Sequence, residues 1–146
     1  MSQISKEGAM ILDIIRNIAL RVARAASDMK AEDVKVLDMR SVSPIADYFV
    51  ICSCDSMVHL RAVTREILEE VKGDNLRVKR REGADEARWI LVDLGDVIVH
   101  VFHHAEREFY DLDSLWADAA EVDWKAELGL AQDGAAEQTA AREWAD

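Results

Sequence analysis

Long hydrophobic runs are missing from this sequence. No apolar stretch approaches the roughly eighteen residues that cross a bilayer, and Met1-Ser2-Gln3-Ile4-Ser5-Lys6-Glu7 lacks the basic-then-apolar layout of a secretion signal. A soluble, cytoplasmic protein with no membrane contact is expected. Cysteine is scarce too: Cys52 and Cys54 stand one residue apart inside an apolar stretch, poor geometry for a disulfide, so free thiols are expected. A metal site would have to recruit His59, His103 and His104, and a C-x-C with distant histidines matches no zinc spacing. Neither a metal nor a cofactor is expected. Positive charge is the third shortage, with 18 Lys and Arg against 29 Asp and Glu and a net charge of −11. Coating a nucleic acid requires clustered cations facing phosphates, so the charge favours a basic protein partner instead.

What is present suffices for one domain: 146 residues, 50% of them hydrophobic. Ile11, Ile14, Ile15, Ile18, Val22 and Ala25 fall on one helical face, predicting a core-covering helix that stops near Met29. Val34–Met39 reads as a short strand. Ser41-Val42-Ser43-Pro44, with the only proline, is turn chemistry leading into a second strand over Asp47–Cys52. Ser53, Asp55 and Ser56 can cap a helix whose stripe is Leu60, Val63, Ile67, Leu68 and Val71, ending at Gly73. Leu76–Lys79 reads as a third strand and Arg80–Arg88 as a charged connection. Phe109, Leu112, Leu115, Trp116 and Ala119 repeat at helical spacing, predicting a third helix from about Ala105 to Ala119. The expected domain is 1–119, with an acidic Ala/Glu-rich extension over 120–146; residues 117–146 hold eight acids against two bases.

The strongest local signal is Trp89–Leu94 and Val97–Phe102 flanking Gly95-Asp96, the pattern of a hairpin with a type II′ turn. The implied register pairs Asp93 with Ile98, Leu91 with His100 and Trp89 with Phe102. Strand alternation then puts Ile90, Val92, Leu94, Val97, Val99 and Val101 on a core face. Trp89, Leu91, Asp93, Ile98, His100 and Phe102 share the other. Large aromatics mixed with a carboxylate and an imidazole suit a binding surface. The competing reading is that a helix covers this side and His100 is a hydrogen-bonded core histidine.

Asp47-Tyr48-Phe49-Val50-Ile51-Cys52-Ser53, Glu82-Gly83, the string from Trp89 to Phe102, Glu106-Arg107, Phe109-Tyr110 and Leu115-Trp116 resemble the ribosomal silencing factor, or Iojap, family, from roughly Ile11 to Trp116. The resemblance implies an α/β (α+β) single domain, a mixed β-sheet of about five strands flanked by helices, related in fold to nucleotidyltransferases without established enzymatic activity. It implies binding to the large ribosomal subunit at its protein number fourteen, a steric block on small-subunit joining, and lowered translation when nutrients are scarce. Homodimers occur in the family. The partner-binding residues expected on this basis are Trp89, Asp93, His100, Phe102, Glu106 and Tyr110. One departure stands out: after Cys52-Ser53 the family usually has glycine, threonine and serine, whereas this chain has Cys54-Asp55-Ser56, with Asp55 the expected replacement cap.

Three other readings carry their own residues. Asp47, Asp93 and Asp96 are candidate metal-holding carboxylates for nucleotidyl transfer, but these three form no D-x-D pair and the chain has no Gly-Ser nucleotide loop. The same aromatics would serve an adaptor for another basic partner. Arg77, Lys79, Arg80, Arg81 and Arg88 form the one local basic cluster, either edge-strand charges that discourage aggregation or a secondary contact to ribosomal RNA phosphates.

Overall fold

The computed structural model describes residues 5–74, 78, 80–82 and 88–130. The first helix, α1, spans Lys6–Asp28; the Ser5 hydroxyl caps it by accepting from the Gly8 N–H at 3.0 Å. Strands β1 (Glu32–Asp38) and β2 (Tyr48–Cys54) follow. Helix α2 (Met57–Val71) buries Leu60, Val63, Thr64, Ile67 and Val71 along one face, and a short 3₁₀ turn over Lys72–Asp74 ends it. Then come β3 (Arg80–Glu82), β4 (Trp89–Asp93) and β5 (Val97–His103), helices α3 (His104–Tyr110) and α4 (Leu112–Leu115), β6 (Ala120–Val122) and α5 (Trp124–Glu127).

Among the described residues the sheet has six strands in the order β3-β4-β5-β2-β1-β6. Only β2 and β5 run parallel; the remaining pairs are antiparallel. Alternation along β2 divides the interior in two. Tyr48, Val50, Cys52 and Cys54 face α1 and α2 in the larger cluster, together with Val97, Val99 and Val101. Phe49 and Ile51 face the other way, joining Leu37, Ile98 and Phe102 beneath Leu112, Trp116 and Ala119. The hairpin forms in the expected register. Gly95 takes φ +96°, a conformation disfavoured for L side chains, while the Leu94 N–H donates to the Val97 carbonyl at 2.9 Å.

Four expectations need correction. The third strand is Arg80–Glu82, inside the stretch expected as a connection; of the segment expected as strand, residues 76, 77 and 79 lie outside the described residues and Val78 is not in a strand. The helix expected over 105–119 is two short helices, because Asp111 adopts a left-handed φ of 49° and breaks the ladder. Helical spacing therefore does not carry across residue 111. Ser56, not Asp55, caps α2 by accepting from the His59 N–H at 3.0 Å; Asp55 instead meets the His59 ring at 3.1 Å.

The fourth correction concerns the boundary at 119/120. Val122 pairs with Val36 as β6 extends the sheet. Trp124 is 6% exposed and its Nε1–H donates to the Val34 carbonyl at 3.0 Å. Glu127 accepts two 2.7 Å hydrogen bonds from Arg16 on α1. The packed unit thus continues through α5, while residues 131–146 lie outside the described residues.

The short helices α3 and α4 are fastened to the sheet by Arg107, 7% exposed. Its guanidinium donates to the Asp33 carbonyl at 2.7 Å, to the Ser53 hydroxyl at 2.9 Å, and to both Asp113 oxygens at 3.1 and 3.0 Å. Asp33 sits at the β1 irregularity with φ 49°, which disposes its carbonyl for this bond. Lys35 adds a 2.9 Å contact to Asp113. Hydrogen bonds from Arg107, outweighing partial burial and aided by Lys35, hold the Asp113 carboxyl at about 2.

Two outcomes follow. Trp124→Ala should lower unfolding free energy by about 3–5 kcal/mol, as large-to-small changes at buried aromatics do, measured by urea denaturation; a loss near zero would place α5 outside the cooperative unit. The Asp113 carboxyl is depressed from 3.8 to about 2 in the folded state. Its contribution is therefore full above the unfolded value and lost as pH falls toward about 2. Asp113→Asn should be less stable than the parent above pH 4, and the two stability curves should converge near pH 2.

Candidate functional site

Cross-strand pairing sets Trp89 against Phe102 at the open end of the hairpin. The two rings stack at 4.8 Å between centroids. Helix α3 begins directly after β5, and its seven residues carry Tyr110 to 5.0 Å from the Trp89 ring. Phe109 meets Tyr110 edge-on at 5.0 Å and is 79% exposed, and Tyr110 is 49% exposed. Leu115, one turn past the Asp111 break, is 67% exposed. The result is an exposed apolar patch built from Phe109, Tyr110 and the outer edge of Trp89, with Leu115 exposed on the helix that follows. Such a patch marks an interaction surface more often than a bare exterior.

The layer that carries the patch is acidic. From His104 to Asp118 the sequence holds five acids and one base; that base, Arg107, and one of the acids, Asp113, are paired with each other. Glu106 pairs with Arg88 at 3.1 Å. Glu108 and Asp111 are exposed.

Of the six expected contact residues, Trp89, Glu106 and Tyr110 come together at this surface. Phe102 is fully buried beneath Trp89 and His100 is 4% exposed; both support the surface from below, because the covering layer of Trp89, Leu112 and Trp116 closes over their half of the sheet. Asp93 lies apart, four residues along the strand or about 13 Å from Trp89. Its Oδ1 accepts from the Gly95 N–H at 2.8 Å and holds the turn. Phe109 and Leu115 are the outward residues that helical spacing alone assigned to a packed helix face. The signal available in the sequence was Asp111 between them, a residue that tolerates the left-handed conformation.

His100 has a defined tautomer. The Trp89 indole can only donate, and its Nε1–H reaches His100 Nδ1 at 3.2 Å, so the imidazole proton sits on Nε2. Phe49 lies edge-on to the ring at 4.9 Å. Burial pulls the imidazole down from 6.5 to about 4, so it is neutral at physiological pH.

Groups suited to chemistry are dispersed or enclosed. Cys52 and Cys54 are both buried against α1 and α2; a hydrogen bond to Cys54, together with burial, pushes the Cys52 thiol well up. The Asp96 carbonyl accepts from the Asp47 and Tyr48 N–H groups. Burial, with Asp96 nearby, raises the Asp47 carboxyl. Among the described residues no group of three or more His, Cys, Asp or Glu side chains is arranged to hold a metal ion, and no helix is long and apolar enough to cross a membrane. In the basic cluster, Arg80 and Arg81 lie on the edge strand β3, Arg88 is paired with Glu106, and Arg77 and Lys79 lie outside the described residues.

Residues 13–146 match the family model described as "Ribosomal silencing factor during starvation". The chain is 51% identical over 105 residues to the ribosomal silencing factor RsfS of Bacillus subtilis, spanning 71% of this chain and 89% of that protein. It is 28% identical over 107 residues to the chloroplast protein Iojap of Zea mays, covering 73% and 46% of the two chains. A crystal structure from Bacillus halodurans superposes with a TM-score of 0.65 at 38% identity, covering 74% of this chain and 98% of that one. One from Chromobacterium violaceum gives 0.68 at 29%, covering 70% and 86%. The chain belongs to the ribosomal silencing factor family.

Proposed function

We propose that this protein binds the large ribosomal subunit at its protein number fourteen through the patch of Trp89, Phe109 and Tyr110, with Glu106 and Leu115, and thereby blocks joining of the small subunit. The observation that carries the reading is the Phe109–Tyr110–Trp89 cluster, exposed on an acidic layer of a chain whose relatives are named ribosomal silencing factors. Aromatic side chains supply buried area with little conformational entropy to lose, the usual make-up of binding hot spots. The carboxylates around them suit lysine and arginine on a basic ribosomal protein, with charge governing encounter and register more than final affinity.

Obstruction needs no reaction. A folded domain of this size on the joining surface excludes the other subunit by volume, so the proposed activity is binding and not catalysis. The setting is the cytoplasm under nutrient limitation. Arg80 and Arg81 on the edge strand supply a secondary contact to ribosomal RNA, and a second copy of the chain is a further candidate partner.

Phe109→Ser is the sharpest test, because a side chain so exposed carries little of the fold. The variant should unfold at the parent's urea midpoint yet co-sediment with purified large subunits at least about tenfold more weakly, roughly 1.4 kcal/mol, and lose inhibition of subunit joining in parallel. A folded Phe109→Ser protein that blocks joining at the parent's concentration would put the contact elsewhere.

A further inference from the structure

Asp55, directly after β2, and His59, in the first turn of α2, take no part in the aromatic patch, yet they meet in a defined geometry. The His59 side chain is 19% exposed and reaches two oxygens. Its Nε2 lies 2.7 Å from the Met29 carbonyl and its Nδ1 lies 3.1 Å from Asp55 Oδ1. A carbonyl and an ionised carboxylate only accept hydrogen bonds. A neutral imidazole has one N–H and would set a lone pair against one of these oxygens. The imidazolium, with an N–H on each nitrogen, satisfies both, so the arrangement selects the charged ring.

The ring bridges two helix ends. Met29 is the C-cap of α1, which has no basic residue in its last turn, so a cation at this carbonyl meets the negative end of the helix dipole. The Ala25, Ala26 and Ser27 carbonyls already accept from the Met29, Ala31 and Lys30 N–H groups, and the Met29 carbonyl takes its hydrogen bond from α2. At the start of α2 the dipole disfavours a cation, and the first turn holds no acid; Asp55, just before the Ser56 cap, offsets this. The Cys54 thiol at the end of β2 also faces the ring. Glu32 on β1 acts on that same thiol and lies 3.6 Å from His104, and the exposed Lys30 follows Met29. Against burial, which opposes the charge, the Met29 carbonyl, Cys54 and Asp55 hold the imidazole above its usual 6.5.

We propose that Asp55 and His59 form a proton-operated clamp between the start of α2 and the end of α1, closed while the imidazole is charged and opened when it loses a proton. The proton that remains can serve only one oxygen, and the other contact becomes lone pair against lone pair. The clamp's contribution to stability is therefore complete below the unfolded imidazole's 6.5 and lost as pH rises through the higher folded value. It acts on the helical layer and does not depend on the proposed ribosomal contact.

Two variants of the full chain test this. His59→Gln keeps a donor for the Met29 carbonyl and carries no titrating charge, whereas Asp55→Asn places an amide N–H beside Nδ1, which satisfies the neutral ring. The His59 titration is followed by NMR, and urea midpoints are compared between about pH 5.5 and about pH 9. In the parent, His59 should titrate above 6.5, and the urea midpoint should fall with pH relative to His59→Gln. In Asp55→Asn the His59 titration should move to lower pH and the fall in urea midpoint should be shallower. A parent His59 that titrates at or below 6.5, or an Asp55→Asn change that leaves its titration where it was, overturns the proposal. If His59→Gln fails to fold, the NMR titrations of the parent and Asp55→Asn decide the question by themselves.

Discussion

The guanidinium of Arg107 is the interaction on which the candidate site depends. A helix of seven residues cannot persist alone in water, and α4, with four, is shorter still. Both are held because one buried cation joins the β1 carbonyl at Asp33, the β2 hydroxyl at Ser53 and the Asp113 carboxylate. Removing one partner of such a group leaves a buried charge uncompensated, which costs about 3–5 kcal/mol. The orientation of α3, and with it the outward aim of Phe109, follows from that clamp. The single base between residues 104 and 118 is thus structural, and the outer surface of the layer is left acidic.

The two faces of the sheet differ in how completely they are covered. One carries α1 and α2, helices of 23 and 15 residues, and packs an aliphatic interior. Among the described residues the other carries only α3 and α4, and an aromatic cluster of Phe49, Trp89, His100, Phe102 and Trp116 fills it. Aromatic rings fill area with few atoms of backbone, and their outer edges remain available. The same economy of cover leaves Trp89 half-buried and Tyr110 exposed.

Much of this was legible from residues alone. The period-two alternation and Gly95-Asp96 gave the hairpin and its register, because a one-residue slip would have turned Val92 and Val99 out of the core. What escaped were effects that depend on backbone conformation at single polar residues. Left-handed Asp111 breaks a helix that apolar spacing continued, and left-handed Asp33 aims a carbonyl at Arg107. The pairing of β6 with β1 is a long-range contact that the acidic, Ala/Glu-rich composition of 120–146 gave no sign of. At the candidate site, strand parity put His100 and Phe102 on the right face, but depth within that face depends on what α3 and α4 cover. The family resemblance, spanning roughly Ile11 to Trp116, agrees with the 51% identity to the Bacillus subtilis protein.

The central claim is that the aromatic patch on α3 is the surface that meets the ribosome. A photo-crosslinker placed at position 109, compared with one at the equally exposed Val58 on α2, tests it directly on purified large subunits. Position 109 should yield an adduct with a single ribosomal protein, number fourteen of the large subunit, while position 58 yields none. Crosslinking from 58 and not from 109 would contradict the claim and move the contact to the opposite side of the sheet.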